Sequence, residues 1–158
     1  MKKRIILLAA LTAMALLVFS GVSLAATKTN NLNVTAAVQA NCNFSSVTDV
    51  AFGDYDPTSA TPLDVNGDMT FRCTKNTAYE TYIVGTRQMV GAVESDNLNF
   101  ELYTDAGRTT AFLADNSGPT SNAPDNSPIT QIIYGRIAAL QDVSVDTYSR
   151  ALTITIEY

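Results

Sequence analysis

An all-β fold of two packed sheets is what the sequence predicts, and three observations predict it. Val, Ile, Thr, Tyr and Phe recur in short alternating runs between clusters of Gly, Asn, Asp and Pro, the pattern of strands bounded by turns. No segment carries a sustained apolar repeat at helical spacing. The runs number about seven and are closely spaced, which argues for a sandwich, with a closed barrel as second choice.

The first run extends from Thr29 to Cys42. Leu32, Val34, Ala36, Val38 and Ala40 share one face; Asn31, Asn33, Thr35 and Gln39 share the other, with Ala37 the apolar exception. Val47 to Tyr55 is a second strand region, followed by an Asp56-Pro57-Thr58-Ser59 turn. Leu63 to Cys73 contains Asn66-Gly67, a hairpin signal, after which Met69, Phe71 and Cys73 alternate with polar residues. Strands are expected at Tyr79–Gly85, Leu98–Tyr103, Ile129–Ile137 and Tyr148–Tyr158, with a turn at Thr104–Gly107. Residues 114–128 hold three prolines and many turn formers, so an exposed, mobile loop is expected there.

The compartment is read from the first residues. Lys2, Lys3 and Arg4 precede an apolar run from Ile5 to Phe19, and small residues end in Ser23-Leu24-Ala25-Ala26. This is the layout of a secretory signal peptide over residues 1–25, the run being short for a membrane span. Removing 25 of the 158 residues leaves 133, one ordinary domain. The leader takes three of the 10 basic residues and none of the 15 acidic ones, leaving 7 against 15, a net charge of −8. Such a surface repels nucleic acid and anionic lipid, so no nucleic-acid partner is expected.

The chain has two cysteines, Cys42 and Cys73. In an oxidising compartment an isolated pair is expected to form one disulfide, the other reading being two buried thiols. Without a histidine, no Ser-His-Asp or Cys-His arrangement is possible, and two thiolates alone make no zinc site. Asp54 and Asp56 read as turn residues rather than a glycosidase pair, and Asp64 to Asp68 lacks the ligand series of a calcium loop. No enzyme activity, metal, cofactor or small-molecule substrate is expected.

The two ends hold the functional signal. An alternating strand precedes the first cysteine, and the chain stops on another core-type strand with no closing strand after it. Here the sequence resembles the spore coat protein U domain family, shared by subunits of archaic chaperone–usher pili. The resemblance rests on Val34-Thr35-Ala36-Ala37-Val38-Gln39-Ala40-Asn41-Cys42, Phe52-Gly53-Asp54-Tyr55-Asp56-Pro57, the Gly67–Cys73 strand, Leu98 to Asp105, Tyr134-Gly135-Arg136-Ile137 and the terminal Tyr148–Tyr158 strand, in that order.

The resemblance implies an incomplete immunoglobulin-like sandwich over residues 41–158, completed by a donor strand from another subunit. A periplasmic pilus chaperone would fill its groove first. An outer-membrane usher would then exchange the chaperone for the N-terminal extension, residues 26–40, of a neighbouring pilin subunit. Leu32, Val34, Ala36 and Val38 would be the donor side chains. Leu152, Ile154 and Ile156 would help line the acceptor groove, and Cys42 and Cys73 would join the first core strand to its neighbour. The product would be a surface pilus of a Gram-negative bacterium, serving adhesion and biofilm. The alternative is a self-contained exported coat protein or binding module, with residues 29–40 as its own first strand.

Overall fold

The computed structural model describes residues 25–158; the leader expected over residues 1–25 lies outside these, apart from Ala25. Nine strands and no helix occur among the described residues: β1 (Cys42–Thr48), β2 (Leu63–Cys73), β3 (Ala78–Val84), β4 (Gln88–Gly91), β5 (Asn97–Tyr103), β6 (Ser121–Asn122), β7 (Ile129–Ile137), β8 (Tyr148–Ser149) and β9 (Thr153–Glu157). They form a large sheet in the order β1-β2-β7-β5-β4-β8 and a small sheet in the order β6-β3-β9, antiparallel throughout.

Period-two alternation builds the large sheet. β2 turns Met69, Phe71 and Cys73 inward, β7 turns Ile133 and Ile137, and β5 turns Leu98, Phe100 and Leu102; all are buried. The small sheet answers with Ile83, and Tyr79 meets Phe71 edge-to-face at 5.2 Å. Thr81 Oγ1 donates to Gln131 Oε1 at 2.8 Å, a polar tie between β3 and β7. Cys42 and Cys73 are opposed in the β1–β2 ladder and form a disulfide, S–S 2.01 Å. Closing a loop of this length removes roughly 3–4 kcal/mol of unfolded-state freedom in the loop-entropy account.

Several local expectations are corrected. Asn66-Gly67 is no hairpin: β2 runs straight through it, paired to β7 over its whole inner stretch. Gly67 is there for space, not for a turn. Past β1 the chain leaves the sheet and crosses the inner face of β2 and β7. A Cβ on Gly67 would lie 2.5 Å from the Thr48 carbonyl oxygen, and one on Gly135 2.5 Å from Val50 Cγ1. The strand expected over Val47–Tyr55 is therefore this crossing, with only Val47 and Thr48 in β1. The terminal strand is broken into β8, which pairs with β4, and β9, which pairs with β3.

The polar loop is also tied down. Ser121 and Asn122 pair with β3, and Ala123 is fully buried. Glu80 and Glu157 oppose each other across β3 and β9, an unfavourable placement of like charges. The loop relieves it: the Gly118 N–H donates to Glu80 at 2.6 Å and the Asn116 amide to Glu157 at 3.1 Å.

The glycine argument predicts that Gly67→Ala lowers stability by about 1–3 kcal/mol, because the methyl group meets a backbone carbonyl that yields only if the crossing shifts. Urea denaturation measures this; an unchanged midpoint would contradict it.

Candidate functional site

β1 and β9 are edge strands of different sheets, and among the described residues each pairs with one neighbour only. Residues of both edges line a cleft of about 1090 Å³. Its floor is the buried core: Ile83, Leu98, Leu102, Ile133 and Ile137. Val47, Val50 and Phe52 line it from β1 and the crossing, and Leu152 and Ile154 from the β9 side. Phe44 and Val47, the inward residues of β1, are each nearly half exposed. An apolar trough flanked by unpaired main-chain edges has the chemistry to accept an extended segment: backbone groups supply hydrogen bonds and alternate side chains fill the trough.

The crossing is bolted in place at its far end. The Tyr55 hydroxyl donates to the Ala138 carbonyl and accepts from the Gln141 N–H, both at 2.9 Å. Opposite it, carboxylates staple the loop Val143–Thr147. Asp146 Oδ2 accepts from the N–H groups of Val93 at 2.7 Å and Glu94 at 2.9 Å. Asp96 Oδ2 accepts from the Ser144 hydroxyl at 2.6 Å and its N–H at 2.9 Å. These bonds, led by Val93 N–H for Asp146 and by the Ser144 hydroxyl for Asp96, hold both carboxyls below their ordinary range.

Of the groove residues expected from the sequence, Leu152 and Ile154 line the cleft, and Ile156 packs against the core without lining it. The donor residues lie in a segment without strand structure: residues 25–41 form none. Leu32, Val34 and Val38 are 86%, 85% and 82% exposed, and Ala36 is exposed too. The strand expected over Thr29–Cys42 is thus absent, as an alternating segment must be when no ladder pairs its backbone. Sequence reasoning missed Val50 and Phe52 as cleft wall, reading them as strand. It also missed Met89 and Val143, which lie in a four-residue strand and an irregular stretch where no periodicity could mark them.

At the other end of β1, the root of this segment is anchored beside the disulfide. Thr74 N–H donates to the Asn41 carbonyl at 2.8 Å, and Thr74 Oγ1 to the Gln39 carbonyl at 3.1 Å.

Comparison with known proteins adds three findings. The family model described as Spore Coat Protein U domain matches residues 28–155. Protein U of Myxococcus xanthus is 31% identical over 171 residues, covering 95% of this chain and 96% of that protein. Among solved structures, similarity extends to the CsuC–CsuE chaperone–tip adhesion subunit pre-assembly complex from archaic chaperone–usher Csu pili of Acinetobacter baumannii. There the TM-score is 0.57 at 20% identity, over 77% of this chain and 40% of that chain. This last likeness concerns the fold, and the chain spans well under half the length of the matched structure. The fold is an all-β, incomplete immunoglobulin-like sandwich.

The rim carboxylates predict an acid response. Their folded pKa values lie below the unfolded aspartate value of about 3.9, so the stability they contribute is complete above that value. It is lost as pH falls through the depressed folded values. Urea midpoints are expected to be level from pH 7 to about 5 and to fall below about 4, less steeply in Asp146→Asn. An identical acid profile in that variant would contradict the assignment.

Proposed function

The chain belongs to the spore coat protein U domain family, and from that premise we propose that it is a non-catalytic structural subunit that polymerises by donor-strand exchange. Residues 26–40 of one copy enter the cleft between β1 and β9 of the next, extending the small sheet along β9 and placing Leu32, Val34, Ala36 and Val38 over the apolar floor. One observation carries the reading: the same chain holds an open apolar cleft between two unpaired edges and an exposed, alternating segment.

Magnitudes support it. Full burial of Leu32, Val34 and Val38 contributes roughly 1.5–3 kcal/mol each, or about 5–9 kcal/mol together. Ordering the segment offsets part of this and backbone pairing adds to it. Before assembly the cleft needs a temporary occupant, since an open apolar edge aggregates. A periplasmic chaperone strand meets that need, and an outer-membrane usher would manage the exchange. The export leader, the acidic surface and the disulfide fit passage through the periplasm to a surface fibre used in adhesion and biofilm. Ile156 belongs to the acceptor side in this reading, on the same face of β9 as Ile154.

The second reading is a self-contained coat protein whose own residues 29–40 close the cleft. The match to Protein U over nearly the whole chain favours keeping it.

Val34→Asp separates the two. Placing an unpaired carboxylate on the trough floor costs several kcal/mol, so incorporation of the variant as a donor is expected to fall at least about a hundredfold. Its cleft is intact, so it still accepts the extension of the unsubstituted chain. Co-expression with the unsubstituted chain and electron microscopy of the fibres reads this out. Normal entry of Val34→Asp chains as donors would sink the assignment.

A further inference from the structure

We infer that Thr74 is a latch that points the root of the extension away from the chain's own cleft and so commits the extension to a second copy. This rests on the donor-strand reading and adds to it how folding back onto the same chain is avoided.

The geometry lies at the disulfide end of β1. Cys42 and Cys73 are opposed in the ladder, and the pairing continues one step further, with Thr74 N–H on the Asn41 carbonyl at 2.8 Å. Thr74 Oγ1 then reaches the Gln39 carbonyl at 3.1 Å. The Tyr158 hydroxyl donates to Asn41 Oδ1 at 3.4 Å. Residues 39–41 therefore prolong the line of β1 beyond the end of β2. The cleft lies the other way, toward Val47 and Thr48.

For the chain to fill its own cleft, it must reverse just before Cys42 and run back into the space between the free edges of β1 and β9. Two features oppose this. The residues that would turn, Gln39 to Asn41, are held straight by Thr74. Ala36 to Ala40 contains no Gly, Pro, Asn or Asp, the residues that tight reversals use, and Asn41, which is one of them, is held by the Thr74 N–H on its carbonyl. A turn forced into that stretch also consumes Ala36 and Val38, removing two of the four donor side chains. Insertion into a second copy meets neither obstacle, because it needs no reversal of residues 39–41.

The test lets the two fates compete. The full chain is expressed with its leader, and the periplasmic protein is denatured without reductant and refolded at low concentration. Thr74→Val removes the hydroxyl bond; a second variant adds Val38→Asn and Gln39→Gly to supply an Asn-Gly turn. Two readouts are taken: the monomer fraction on unheated gels, and monomer uptake of a fluorescein-labelled peptide of residues 26–41. The unsubstituted chain is expected to form ladders, its residual monomer taking up peptide. In Thr74→Val the monomer fraction is expected to rise roughly three- to tenfold, the range for losing one hydrogen bond. The triple variant is expected to be mainly a monomer that refuses peptide, its cleft filled by its own chain. Variant monomers that take up peptide like the unsubstituted chain would overturn the latch and leave donor-strand exchange standing. Unsubstituted monomers that refuse peptide would overturn both.

Discussion

Every strand inside a sandwich must satisfy two backbone edges, and this constraint organises the molecule. The large sheet satisfies it through β2, β7, β5 and β4, and the small sheet through β3. Among the described residues β1 and β9 each leave one edge without a strand, and the space they flank is floored by the core itself, with Ile83, Ile133 and Ile137 beneath it. In water, such an edge over an apolar floor is unstable toward any extended chain that fits it. The apolar residues that alternate at the same spacing, Leu32 to Val38, stand exposed.

Close approach of backbone, rather than chemistry, keeps the cleft's shape. Gly67 and Gly135 let the Val50–Phe52 crossing lie directly on the sheet, where it becomes wall rather than lid. Tyr55 fixes the far end of the crossing through Ala138 and Gln141, while Asp96 and Asp146 fix the loop opposite. The disulfide holds the start of β1 on β2, so the segment that precedes it leaves from a rigid root. On the proposed reading, donor and acceptor are different parts of one chain, and a head-to-tail contact of that kind makes an open fibre when its rotation does not close into a ring.

Much of this was legible in the sequence because it depends on alternation. Ile129–Ile137 emerges as β7 with the expected bounds, and the Leu98, Phe100, Leu102 face of β5 is the face that packs. Leu152, Ile154 and Ile156 were named for the groove from the family resemblance, and the first two line the cleft. What was illegible depends on neighbours. Asn66-Gly67 has the local chemistry of a turn, and only the chain lying across it explains why it is a strand. Residues 114–128 have the composition of a free loop; the opposed carboxylates Glu80 and Glu157 that hold them are 77 positions apart, the difference of their numbers. The first alternating segment shows the converse: Thr29 to Asn41 has strand periodicity and forms no strand, because periodicity gives a face but not a partner.

Size-exclusion chromatography with light scattering, on protein recovered from the periplasm with and without residues 26–40 and run beside unheated SDS gels, tests the central claim most directly. The account predicts large SDS-resistant ladders, or a complex with a chaperone, for the intact chain, and loss of the ladders with a still-folded domain on truncation. A stable monomer that unfolds when residues 26–40 are removed would contradict it, and would make that segment the first strand of its own sandwich.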